Sequence, residues 1–209
     1  MKRLPIIPTI IVGAAIAAMI ALGLWQLGRA DEKRALLAVY TANLAKPAIA
    51  YPALAPVPDE ALFRPSSAQC LEVVGWRAEA GRTRTGESGY RFIAECRTGA
   101  EGPGLLADMG VSRDPAFRPG WTGGQVTGRI TTEPQHGSLI GQLFGNAPPL
   151  RPMLISDNAA PGLEPSAQPW IDEIPNNHLA YAGQWFFFAA VAAIIYFLAL
   201  RRRQRPTDR

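Results

Sequence analysis

The sequence predicts an α+β membrane protein in which two transmembrane helices flank an antiparallel β-rich extracytoplasmic domain. Three observations carry this. Apolar runs of about 22 residues stand at both ends of the chain, and ~20 residues span ~30 Å of hydrocarbon at ~1.5 Å each. Between them lie short apolar runs broken by Gly and Pro, the pattern of strands and turns. Mean hydropathy is only +0.03, because the apolar ends are balanced by a polar middle.

Residues 1–28 form the first membrane helix, whose apolar core runs from Ile6 to Leu27 behind the basic start Lys2-Arg3. Ala15-Ile16-Ala17 resembles a signal-peptide cleavage site, but the apolar run continues past it and exceeds the ~7–15 residues of a signal core. An uncleaved anchor is therefore expected. Leu27, Ala30, Leu37, Tyr40 and Leu44 recur at roughly helical spacing, which predicts a helical extension over 29–46, stopped by the Pro47 region. A second membrane helix is predicted over 175–200, followed by a basic tail over 201–209. That tail carries Arg201, Arg202, Arg203, Arg205 and Arg209, whereas Pro161 to His178 contains no Lys or Arg. The asymmetry places both termini in the cytoplasm and the central domain in the periplasm of a bacterial inner membrane. It also accounts for the net charge of +4 and the pI near 9.4 as a topology signal, so no nucleic-acid partner is expected.

The β-rich domain, over 47–174, opens with a connector marked by Pro47, Pro52, Pro56 and Pro58. Strands are predicted at Cys70–Trp76, Tyr90–Cys96, Leu105–Val111, Gly124–Thr131 and Arg151–Ser156, in a barrel-like arrangement. Roughly 130 residues are enough for one core. Cys70 and Cys96, the only cysteines, are nearly symmetric about the turn between the first two strands. A hairpin would bring them together as a disulfide in an oxidising compartment, whereas a small register error would leave two thiols. The chain has no Cys-x-x-Cys, which argues against a thioredoxin-like or dithiol copper-carrying role.

Two looser patterns carry little. Gly102-Pro103-Gly104-Leu105-Leu106-Ala107 fits a dinucleotide fingerprint in letters but lacks the preceding strand and following helix that the fingerprint needs. A Ser138, His136, Asp108 trio would serve a membrane-anchored hydrolase, yet nothing in the sequence fixes its geometry and no nucleophile elbow is present.

His178 differs because its helical neighbours are visible. Tyr181, Ala182, Trp185 and Ala189 follow at i+3, i+4, i+7 and i+11, so the imidazole shares a face with two large aromatics and two alanines. Ionisable groups at membrane depth are costly and mark functional candidates. Neutral imidazole suits haem iron as an axial ligand, and aromatic walls suit a flat macrocycle. The same residues also fit an interfacial belt that anchors the helix end to headgroups. Gly13, Ala17 and Ala21 on the first helix, with Ala182, Ala189 and Ala193 on the second, are expected to let the helices pair. Pairing would bring Trp25 and Gln26 to the membrane face that holds His178.

Trp25-Gln26-Leu27-x-Arg29, with Lys33 following, resembles the N-terminal signature of the Surfeit locus protein 1 family, and Asn177-His178-Leu179-x-Tyr181-Ala182-x-x-Trp185-Phe186 resembles its C-terminal one. Val73-x-Gly75, Gly89-Tyr90 and Val126-x-Gly128 are weaker echoes. The resemblance implies an assembly factor for haem-copper cytochrome c oxidase, without enzymatic activity, that acts in maturation of the haem a-bearing subunit I. By position, His178 becomes the candidate ligand to haem a iron, while Trp25, Gln26, Arg29, Tyr181 and Trp185 support the site or a partner contact. Subunit I, the haem a synthesis machinery and membrane lipids are the implied partners. A scaffold that binds oxidase subunits without touching haem is the alternative. The chain departs from the family at Ala107-Asp108-Met109-Gly110-Val111-Ser112, where members commonly carry an Arg-Gly-Trp-like segment and only the glycine is kept.

Overall fold

In the computed structural model, which describes residues 5–100, 104–134, 148–171 and 174–204, helix α1 runs unbroken over Ile6–Leu44 and helix α2 over His178–Gln204. Both are long and apolar enough to cross a membrane. Seven strands lie between them: β1 (Ile49–Ala50), β2 (Pro65–Cys70), β3 (Glu72–Arg82), β4 (Ser88–Arg97), β5 (Leu105–Ser112), β6 (Gly124–Thr132) and β7 (Pro152–Ser156). The α+β, two-span class expected from the sequence is the class observed. The chain forms two compact units, one of Met1–Leu36 with Ile174–Arg209, the other Leu37–Glu173.

In the second unit the strand order is β1-β2-β6-β7-β5-β4-β3. Only Leu71 separates β2 from β3, yet four strands lie between them in the sheet. A flat sheet would hold these strands ~24 Å apart, five spacings of ~4.8 Å. One intervening residue spans at most ~7 Å. The sheet must therefore curl until its ends meet, which gives the barrel-like form. Leu71 N–H donates to Arg97 O across the closure at 2.9 Å.

The expected antiparallel sheet is in fact mixed. Most neighbours are antiparallel, but β5–β7 and β1–β2 are parallel. The cause is order: β7 inserts between β5 and β6, antiparallel to β6, and so runs with β5. Inside the curl pack Cys70, Ala94, Cys96, Leu105, Ala107, Met109, Val126, Ile130 and Leu154. Alternation along the strands sends Ile93, Leu106, Met153 and Ile155 to the outer face, where they form a second buried cluster. Charged side chains accompany that cluster. Arg77 reaches Glu95 at 3.2 Å and Glu133 at 3.4 Å, and Arg151 binds Glu133 at 3.0 Å. Burial pushes the Glu133 carboxyl up, but the hydrogen bonds and charge of Arg151 outweigh it and hold the group below its ordinary range.

Cys70 and Cys96 are bonded, with Cα atoms 5.2 Å apart, so the disulfide alternative is the one realised. It ties β2 to β4 at the closure. The last turn of α1 is fastened within the same unit. Tyr40 Oη donates to Asp59 Oδ1 at 2.7 Å, and its ring packs on Phe63. Buried Asn43 donates through Nδ2 to Asp59 O and Leu62 O, and Arg129 caps the orphan Leu44 carbonyl at 3.2 Å.

Two glycines of the family-like segments serve backbone approach. A Cβ at Gly128 would stand 2.0 Å from Ile155 O. Gly110 has φ +126, and a Cβ there would stand 2.7 Å from Glu164 O, where the chain crosses β5. Retention of that glycine thus follows from packing.

Two outcomes are expected in thermal and denaturant unfolding of the full chain. Replacing both cysteines by serine releases a 26-residue separation and should cost about 3.5 kcal/mol by loop-closure entropy. Gly128→Ala should destabilise the domain far more than Gly75→Ala, whose new methyl would meet only the flexible Glu95 carboxylate at 3.4 Å.

Candidate functional site between the membrane helices

The first unit is a pair of antiparallel helices. Thr9 near the start of α1 hydrogen-bonds Tyr196 near the end of α2 at 2.5 Å, Gly23 lies against the Phe186 ring, and Gln26 meets His178. On α1 the less exposed positions are Thr9, Val12, Ile16, Met19, Gly23, Gln26, Ala30 and Lys33. On α2 they include His178, Ala182, Trp185, Ala189, Ala192 and Tyr196. Both series alternate steps of three and four residues, the ~3.5-residue period of a left-handed helix seam.

This seam revises the expected small-residue stripe. Ala182 and Ala189 are buried as predicted, but Ala193, Gly13, Ala17 and Ala21 are exposed. The close approach on α1 is made by Gly23 instead, where a Cβ would stand 2.6 Å from Phe186 Cε1. Alanine is common all round both helices, so its spacing could not select a face. Following the heptad from Gln26 backwards reaches Gly23, Met19, Ile16 and Val12, which is the signal that finds it.

α2 begins at His178 because Pro175-Asn176-Asn177 precedes it: proline disfavours helix upstream, and asparagine is a favoured N-cap. Tyr181 N–H donates to Asn177 O at 3.1 Å, the first turn of the helix. His178 Nδ1 lies 2.7 Å from Gln26 Oε1, between residues 152 positions apart in sequence. A carbonyl oxygen only accepts, so Nδ1 is the donor in this contact and Nε2 is left outside it. Asn176 adds a longer contact, Nδ2 to Ala30 O at 3.4 Å, and its Oδ1 is buried without a partner.

The six candidate residues are therefore divided. His178 and Gln26 touch, and Trp185 is half-buried on the seam below them. Tyr181 and Trp25 are turned outward, 51% and 56% exposed. Arg29 is exposed too and pairs with Glu32 one turn along α1. For the hydrolase alternative, His136 and Ser138 lie outside the described residues, while Asp108 is buried and bonded to Ser166 Oγ at 2.5 Å.

The seam predicts that Gly23→Leu separates the helices. In a Thr9→Cys, Tyr196→Cys chain, whose native cysteines are already bonded to each other, a short bismaleimide should bridge the two helices efficiently. Adding Gly23→Leu should reduce the bridged fraction several-fold.

No curated protein sequence matches the chain significantly. The model of the SURF1 family matches residues 13–190, a span that takes in Gly23, Gln26, the whole sheet and the His178–Trp185 stretch. The chain belongs to the SURF1 family of cytochrome oxidase assembly factors.

Proposed function

We propose that this protein assists insertion of haem a into subunit I of cytochrome c oxidase, or stabilises that subunit while it is loaded, by holding haem at His178. The observation that supports the reading is the His178–Gln26 hydrogen bond, which engages Nδ1 and leaves Nε2 outside the contact at the end of an apolar helix pair. His178, as a neutral imidazole, would hold the iron of a haem through Nε2, and the haem would supply the cargo to be handed on. Gln26 holds the ring's tautomer and orientation from the far nitrogen, the usual arrangement behind a ligating histidine.

Trp185 would offer a flat apolar surface on the seam, and the exposed Trp25 and Tyr181 would offer apolar rings to a ligand or partner on the outside of the helix pair. Arg29 and Lys33 offer cations to carboxylates or to lipid phosphates, Arg29 by exchanging its exposed Glu32 partner. Arg201, Arg202 and Arg203 in the last turn of α2 support a cytoplasmic C-terminus. The His178 end then faces the periplasm of a bacterial inner membrane, beside the extracytoplasmic side of subunit I and within reach of the enzymes that make haem a. The function is binding and handover, without covalent catalysis.

The same hydrogen bond would also serve as a plain clamp between helices, which is the scaffold reading. Absorption spectra of detergent-purified protein from cells making haem a separate the two. The wild type should carry the chromophore and His178→Ala should lose it; equal haem a in both would leave only the clamp. Gln26→Leu should weaken haem retention roughly 10–100-fold, the usual cost of losing a partner behind a metal ligand. Gln26→Glu should retain haem and lower its midpoint potential, because a carboxylate makes the imidazole more basic.

A further inference from the structure

β3 ends the strand order, so one of its two edges has no strand beside it. Only the two ends of that edge are used within the chain: Val73 N–H donates to Thr122 O at 3.1 Å, and Arg82 O accepts from Ala167 N–H at 2.8 Å. The direction of the main-chain groups between them follows from the ladder on the other side. Thr83 N–H donates to Glu87 O at 2.8 Å and Arg82 stands opposite Ser88, so bonding to β4 falls on every second residue, Gly81, Glu79 and Arg77. The N–H and C=O groups of Trp76, Ala78 and Ala80 therefore point away from the sheet. Among the described residues none of them has a hydrogen-bond partner, and Ala78 and Ala80 are exposed.

An open row of this kind is a template for another strand, and edges that must stay single are blunted by proline, lysine or a bulge. From Trp76 to Gly81 this edge carries neither proline nor lysine, and the register shift in β3 falls before it, between Val73 and Gly75. Its side chains are self-complementary. An antiparallel copy of the strand, turned about a two-fold axis at Ala78, sets Ala78 against Ala78, Trp76 against Ala80, and Arg77 against Glu79. A large ring then meets a small methyl, and both charged pairs across the axis are of opposite sign, which stabilises a cross-strand pair. The neighbouring registers centre on Arg77 facing Arg77 or on Glu79 facing Glu79, like charges directly opposite, which are disfavoured. Within one chain Arg77 stands 3.8 Å from Glu79, so both charges lie on the one face where the second copy would bring its own.

We infer that two copies of this chain pair through their β3 edges, antiparallel and centred on Ala78, so that one sheet continues into the other. The join supplies about six main-chain hydrogen bonds, two at each pairing of Trp76 with Ala80 and two at Ala78 with Ala78. A two-fold contact also closes on itself and leaves no open row for further copies. Main-chain groups alone would accept any extended polypeptide. The sign-matched Arg77 and Glu79, and the size match of Trp76 with Ala80, are what favour a second copy. So short a join is weak between freely diffusing molecules, because stable interfaces bury ~1,200–2,000 Å². Helices long and apolar enough to cross a membrane confine the copies to one surface and raise their effective concentration.

Ala78→Cys tests this register in the full chain, in isolated membranes treated with copper phenanthroline as oxidant. Facing residues of a hydrogen-bonded pair have Cα atoms ~5.5 Å apart, inside the range that a disulfide spans. The native cysteines are bonded to each other, so a disulfide-linked dimer comes from the new thiol. The two copies of Ala80 would lie ~14 Å apart along the joined strands, beyond bridging. Non-reducing gels should therefore show at least ~5-fold more dimer for Ala78→Cys than for Ala80→Cys. Ala80→Pro removes an outward N–H and leaves the β3–β4 ladder intact, since edge strands tolerate proline there. Added to Ala78→Cys, it should cut the dimer several-fold with little change in melting temperature. Equal dimer at positions 78 and 80 marks random collision and overturns the proposal. Monomer at both positions overturns it too and leaves the edge to a foreign strand, and so does an Ala78→Cys dimer undiminished by Ala80→Pro.

Discussion

A polar side chain on an apolar helix has no water to satisfy it and must find its partner on the neighbouring helix. Gln26 and His178 answer that constraint for each other, and the rest of the helix pair is arranged around them. Their contact sets the antiparallel register, which brings Gly23 under Phe186 and Thr9 beside Tyr196. The apolar seam fills in by dispersion and close approach, which in lipid contribute without a hydrophobic driving force. Polar pairing selects the faces, and small residues then allow the distance.

The sheet unit obeys a separate constraint. One continuous stretch, Pro65 to Arg82, supplies both ends of the strand order, so curvature is a consequence of connectivity. The Cys70–Cys96 bond and the Leu71–Arg97 hydrogen bond sit at that junction and hold it closed. The interior is left to small and medium apolar residues. Charged side chains move to the outside, where Arg77, Arg91 and Arg151 run over a buried apolar cluster and meet carboxylates.

Much of this was legible in the sequence, and the misses have physical causes. Helix positions came from run length and charge, and five strands from apolar runs between Gly and Pro. The hairpin symmetry of Cys70 and Cys96 allowed the disulfide by a different geometry from the one formed: Cys70 ends β2 instead of opening the hairpin strand β3, and the bond reaches β4 across the closure of the sheet. The parallel β5–β7 pair was hidden because nothing local to either strand records that β7 inserts beside β5. For the site, the shared membrane face of Trp25, Gln26 and His178 followed from the topology, whereas the choice of Gln26 over Trp25 as the partner of His178 and the facing stripe did not, since alanines abound on every side. The cavity beside Asp108 on the outer face was invisible: Asp108 stands 58 residues before Ser166, and only the crossing of residues 164–168 over the sheet brings it beside Ser166 and Gln168.

The 152-residue separation between Gln26 and His178 has a bearing on biosynthesis. A chain is made from its N-terminus, and domains fold as they emerge. Gln26 therefore enters the bilayer early and waits without its partner while the whole sheet is synthesised and closed. The imidazole arrives only with the final stretch of chain, and its helix must be complete before Tyr196 can reach Thr9. The Gln26–His178 contact is thus the last of these pairings to become possible, and a chain cut short between β7 and α2 keeps every strand of the sheet but lacks it.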